Sequence, residues 1–156
     1  MKTVFTLLFC FGALILNAQE NLLPVYDEVN FGYINTEGNT VLPFKYKNAG
    51  LFSDGLACVR EQGRFGYIDA TGTYILPPTY DYAEGFEKGY AKVWIKGMCR
   101  LINKKGEFLF VGEYIDLNWN RENDSIEVKT MTKSIGTVDR KGNILEDTIA
   151  QRIYDY

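Results

Sequence analysis

Histidine is absent from this 156-residue chain, and that gap removes more chemistry than any other in the composition. Without imidazole there is no His-based triad, no Cys–His nucleophile and no zinc site built on ring nitrogens. Excess positive charge is lacking as well. Formal charge is −3, and because Lys2 is the only charged residue among the first eighteen, the remainder carries −4. Nucleic acid and anionic lipid both call for a basic surface. Lys104–Lys105 and Arg140–Lys141 are isolated pairs in predicted turn tips and make no such patch. There is no phosphate-cradling loop, because the glycines fall at turns and never between a strand and a helix. Cysteine is scarce: beyond Cys10 there are only Cys58 and Cys99. They occupy different repeat positions, and a chain of this size needs no covalent staple. Two unpaired thiols are the plainer reading, with a disulfide left open.

Long apolar runs are missing except at the start. Lys2 precedes a thirteen-residue run from Val4 to Leu16, and Leu16-Asn17-Ala18 puts a small residue before Gln19. This reads as a signal peptide over 1–18, with the remainder exported to a periplasmic, outer-surface or extracellular place. The run falls short of the roughly twenty residues a spanning helix needs. No later segment is apolar enough to cross, so no transmembrane span is expected in the mature chain. Cys10, flanked by Phe9 and more apolar chain, does not read as a lipidation site.

What is abundant is repetition. Phe31-Gly32-Tyr33-Ile34-Asn35 returns as Phe65-Gly66-Tyr67-Ile68-Asp69, thirty-four residues on. The correspondence continues through Val41-Leu42-Pro43 with Ile75-Leu76-Pro77, Tyr46 with Tyr80, and Phe52 with Phe86. It closes on Gly55, Ala57, Val59 and Gly63 against Gly89, Ala91, Val93 and Gly97. A third unit starts at Cys99, with Gly106 and Tyr114 in step, but Asn120 replaces the Phe52/Phe86 aromatic. A fourth start, Ile135 to Asp139 with Gly142, runs two residues late, and Pro24-Val25-Tyr26 reads as the tail of a truncated earlier unit. Degenerate outer units are what a repeat array requires of its ends.

The period alone would also suit a two-helix repeat, but Gly and Pro recur too often to leave helices of useful length. Ala57 and Val59 alternate with Cys58 and Arg60, and Ala91 and Val93 with Lys92 and Trp94, which is strand spacing. Glu61-Gln62-Gly63-Arg64 and Ile95-Lys96-Gly97-Met98 read as hairpin turns. Asx-x-x-Gly recurs at Asn35, Asp69, Asn103 and Asp139, where the side chain accepts turn amides and Gly takes positive φ. The expectation is an all-β fold of tandem three-stranded antiparallel meanders of about thirty-four residues, such as 56–61, 65–69 and 74–77. A proline ends each third strand. The array would be an open propeller-like arc or a solenoid-like twisted ribbon.

Phe-Gly-Tyr-Ile, the x-x-Gly turn and Phe-x-x-Gly-x-Ala-x-Val together resemble the WG (KWG) β-repeats of bacterial exported proteins. The likeness covers about residues 24 to 145 and is specific in the two full units. Phe31 and Phe65 stand in place of the naming Trp, and Cys99-Arg100 has neither signature residue. The resemblance implies an antiparallel β-repeat domain over 19–156, with units starting near 31, 65, 99 and 135. It implies binding or structural duty, and it brings no catalytic residues.

The Asx positions form a row that a calcium site would favour, but two of the four are Asn and each sits where a turn wants a cap. Turn chemistry is the expectation, and neither metal nor cofactor is called for. Asp54, Asp81, Glu84 and Glu87 are the carboxylates of the inter-unit loops. Gly32, Gly66 and Gly136, with Ala57 and Ala91, form small-residue columns that let backbone or rings approach. Phe31, Phe65, Tyr46, Tyr80, Phe52 and Phe86 supply those rings. Cys58 corresponds to Lys92 and is read as outward, whereas Cys99 takes the Phe31/Phe65 column as a small hydrophobic residue. Three aromatics do not recur: Tyr82, Trp94 and Trp119 are the candidate partner contacts. The leading expectation is an exported, non-catalytic protein- or glycan-binding or scaffold module of the cell envelope. The alternative is an envelope polysaccharide hydrolase using loop carboxylates.

Overall fold

A computed structural model describes residues 21–109, 116–120, 125–129, 135–139 and 144–147. The leader with Cys10, Tyr114, the Arg140–Lys141 pair and Gly142 lie outside the described residues. The alternating segments form antiparallel strands in four sheets, and no helix occurs among the described residues. The first sheet is β1 (Leu23–Tyr26), β2 (Phe31–Ile34) and β3 (Thr40–Tyr46). The second is β4 (Asn48–Ala49), β5 (Ala57–Glu61), β6 (Arg64–Ile68) and β7 (Tyr74–Tyr80). The third is β8 (Tyr82–Ala83), β9 (Tyr90–Ile95) and β10 (Met98–Asn103), extended by a bridge from Ile102 to Phe108. The fourth is β11 (Asp116–Asn120), β12 (Ser125–Lys129), β13 (Ile135–Val138) and β14 (Ile144–Asp147). An antiparallel meander is present in every sheet: a short leading strand opens the second and third, the closing strand of the third is reduced to the Ile102–Phe108 bridge, and the fourth has four strands.

The sequence unit and the sheet are out of phase. The unit that opens at Phe31 supplies β2 and β3 to the first sheet and β4 and β5 to the second. The hairpins β5–β6 and β9–β10 turn at Gln62-Gly63 (φ 51° and 84°) and Lys96-Gly97 (φ 51° and 78°). Two consecutive positive φ values define the turn whose twist suits a two-residue hairpin.

The third strands run further than the prolines suggested. β7 passes through Pro77 and Pro78 to Tyr80, whose partner is Phe65, while Tyr67 pairs with Leu76. Three residues of β7 therefore bulge over the single residue Gly66. The bulge removes the need for ladder amides where the prolines stand, which is why pairing survives them. A Cβ on Gly66 would lie 2.7 Å from the Leu76 carbonyl oxygen and 2.8 Å from Pro77 and Pro78 backbone atoms. Gly32 meets Leu42 O and the Phe44 ring, both at 2.9 Å, in the same way. The small-residue column exists because a bulged strand lies across it.

Three buried clusters join the four sheets in sequence. Tyr33, Leu42 and Tyr46 meet Ala57, Val59 and Ile68 between the first and second sheets. Cys58, Tyr67, Leu76 and Tyr80 meet Ala83, Phe86, Ala91 and Val93 between the second and third. Cys99 and Leu101 meet Leu117, Ile126 and Val128 between the third and fourth. No cluster among the described residues joins the fourth sheet to the first, so over those residues the array stays open. Neighbouring sheets are also tied by polar contacts. Tyr33 Oη donates to Gly50 O at 2.8 Å and Tyr67 Oη to Glu84 O at 2.7 Å, each reaching the next sheet.

Cys58 corrects the sequence reading. It is buried, not outward, with Sγ 3.4 Å from the Ala83 carbonyl of the third sheet. In a stack, an inner sheet has neighbours on both sides, so both faces of an alternating strand are covered. β5 accordingly buries Ala57, Cys58 and Val59 in succession. Cys99 is fully buried, as its column required. Both cysteines are free thiols.

Candidate functional site

The Asx turns form as expected. Asp69 Oδ1 accepts the Thr71 amide at 2.9 Å, the Thr73 amide at 3.0 Å and the Thr71 hydroxyl at 2.6 Å. Asn35 and Asn103 accept turn amides in the same manner. Partial burial pushes the Asp69 carboxyl up, but the Thr71 hydroxyl and the turn amides outweigh it and hold the group below its ordinary value. The turn glycines Gly72 and Gly106 rest on the preceding sheet, their Cβ positions 3.1 Å from Leu42 and 3.0 Å from Leu76 side-chain carbons. These side chains are engaged in structure.

Asp54 and Asp81, two of the loop carboxylates, also serve neighbouring turns. Asp54 Oδ2 accepts the Gly89 amide at 2.6 Å, and its carbonyl accepts Lys104. Asp81 pairs with Arg64 and accepts the Lys96 amide at 2.5 Å.

The three non-recurring aromatics separate into two places. Tyr82 and Trp94 are cross-strand partners with ring centroids 5.2 Å apart, and Tyr82 also meets the Phe65 ring at 5.3 Å. Tyr82 is 50% exposed, while Trp94 is half-buried and packs partly on the core beneath. Trp119 lies on β11, with the Tyr90 ring at 6.0 Å and the Lys88 ammonium at 5.6 Å.

Trp119 forms one wall of a cleft of about 260 Å³ between the third and fourth sheets. Leu101, Leu117 and Ile126 line its apolar side. Glu84, Glu87 and Lys92 line its polar side, and Lys92 Nζ stands 3.2 Å from Glu84 Oε2. The same ammonium lies 5.7 Å from the Trp94 ring centroid. An apolar recess with a few convergent polar groups is the usual form of a ligand seat.

The repeat explains why the cleft lies at this interface. Between the first and second sheets, Tyr33 meets Phe52 at 5.1 Å; between the second and third, Tyr67 meets Phe86 at 4.7 Å. One step further, those positions hold Leu101 and the exposed Asn120. The ring pair that closes two interfaces is therefore absent from the third. Three polar lining residues depart from the repeat together: Gly50, Ser53 and Cys58 become Glu84, Glu87 and Lys92. Sequence reasoning noted the two glutamates as loop charges and missed Lys92. The signal that would have found them was this joint change within one unit.

Residues 31–64 and 65–97 each match the family model of the WG containing repeat. No curated protein matches the chain in sequence. Among solved structures it is similar to BamB from Moraxella catarrhalis, at 12% identity and TM-score 0.46, over 82% of this chain and 49% of that one. It is also similar to a protein of unknown function from Bacteroides caccae, at 16% identity and TM-score 0.41, over 81% and 56%. The chain thus spans about half the length of these structures. No helix among the described residues is long and apolar enough to cross a membrane. Over its two full units, residues 31–64 and 65–97, the chain is similar to the WG containing repeat.

Proposed function

We propose that this protein is an exported, non-catalytic binding module of the cell envelope, and that the cleft between its third and fourth sheets seats part of the partner. The observation that carries this reading is the Trp119-walled recess, opened where the repeat gives up its Tyr–Phe ring pair. Tyr82 and Trp94 extend the contact surface beyond it. The apolar leader ahead of Gln19 supports export. The acidic balance favours protein or glycan over nucleic acid.

The test has two arms. Expressed in a bacterium, the full chain is expected to yield an exported form whose N-terminal sequence starts at Gln19. That purified form is expected to co-sediment with washed envelope, and Trp119→Ala to weaken retention several-fold. Retention of the chain in the cytoplasm, or equal sedimentation of wild type and variant at background level, overturns the reading.

One observation favours the hydrolase alternative: Glu84 and Glu87 line the same cleft. Against it, Glu84 is already committed to Lys92. The same envelope incubation decides the matter. Release of reducing ends that disappears with Glu87→Gln would establish turnover, and none is expected.

A further inference from the structure

We propose that the cleft takes one neutral pyranose residue of a glycan chain. This deepens the binding-module reading and rests on the cleft being the contact site. Size sets the first bound. The recess of about 260 Å³ exceeds the ~150 Å³ that encloses a benzene ring and falls below the ~300 Å³ where sites for larger ligands begin. It admits one six-membered ring with its substituents.

Charge sets the second bound. Glu84 and Lys92 form an ion pair at 3.2 Å on the polar side, each with a partly covered side chain. An anionic ligand would meet the Glu84 and Glu87 carboxylates as well as Lys92, and a cationic one would meet the Lys92 ammonium beside them. A ligand of either charge therefore faces a like charge in the recess. A hydroxyl both donates and accepts, so adjacent hydroxyls bridge ammonium and carboxylate with the pair intact. The opposite wall suits the other face of a sugar: the C–H side of a pyranose carries slight positive charge and meets the negative face of an indole. Leu117 and Ile126 of the fourth sheet continue that wall.

The arrangement is also specific to one interface. At the two earlier interfaces the equivalent of Leu101 is a Tyr whose hydroxyl bonds to the next sheet. Leu101→Tyr therefore returns one of the repeat's own two rings and narrows the recess with a side chain that the earlier units carry at this position.

The experiment is isothermal titration of the purified chain with cellotriose, maltotriose, xylotriose and chitotriose. A trilysine peptide and a trigalacturonate serve as the charged probes. At least one neutral trisaccharide is expected to bind in the millimolar range or tighter. Trp119→Ala and Lys92→Met should each weaken it tenfold or more. Leu101→Tyr should abolish binding while leaving the thermal transition of the wild type, which separates a narrowed cleft from a failed fold. No heat with all four neutral probes, or preference for a charged one, overturns the proposal. If envelope co-sedimentation remains sensitive to Trp119→Ala in that event, the binding module stands and only its sugar ligand falls.

Discussion

At the scale of single residues, Gly66 shows how closely the backbone governs this chain. Its α-carbon lies under the bulge of β7, where a methyl group would meet backbone atoms at 2.7–2.8 Å. Backbone cannot swing aside as a side-chain end can, so Gly66→Ala is expected to cost about 1–3 kcal/mol by overpacking. Gly85 has nothing among the described residues within 4 Å of the same position, and Gly85→Ala should leave stability within experimental error. Urea denaturation of the two variants checks the contrast. The buried thiols give a second expectation. Burial pushes Cys58 from 9.0 up to about 12, and Cys99 up to about 11. Burial likewise raises the Tyr33 and Tyr67 phenols. The unfolded chain releases thiol protons near pH 9 while the folded chain keeps them. Unfolding therefore releases protons between pH 9 and 11–12, and stability falls as pH rises through that window. Each thiol tilts the curve by up to about 1.4 kcal/mol per pH unit. Urea midpoints at pH 7, 9, 10 and 11 measure the slope; a flat series would contradict the burial of both groups.

At the scale of the element, the Asx turns were legible in sequence and the faces of the strands were not. Asn35, Asp69 and Asn103 sit in identical spacing before a glycine, and each accepts the predicted amides. Such a turn is set by four neighbouring residues, so local sequence suffices. Because two of these turns use Asn, Asp69→Asn should be tolerated, whereas Asp69→Ala loses several accepted bonds and should cost about 1–2 kcal/mol. Thermal denaturation of the pair is the check. Cys58 was misread because alternation tells two faces apart without saying whether either is wet. Only the third sheet, packed over β5, decides that. The prolines misled for a related reason: Pro77 and Pro78 mark irregular pairing, but whether the strand ends or bulges depends on the glycine opposite. The cleft was half visible. Asn120 was recognised as a departure, yet its meaning needed Leu101 and Phe86 to be placed on facing sheets.

At the scale of the molecule, each sheet depends on the next for cover. Removing residues 110–156 would uncover Cys99 and Leu101, both buried against the fourth sheet. That truncated chain is expected to bind a hydrophobic dye and to self-associate in sedimentation velocity, where the full chain does neither to the same degree. The offset between unit and sheet carries a further implication for how such chains change length. A copied stretch of thirty-four residues contributes the closing half of one layer and the opening half of another. Spliced in at any equivalent point, it finds a matching half on each side. Growth or loss by whole copies therefore creates no seam, and inheritance can alter the number of layers without inventing a new junction.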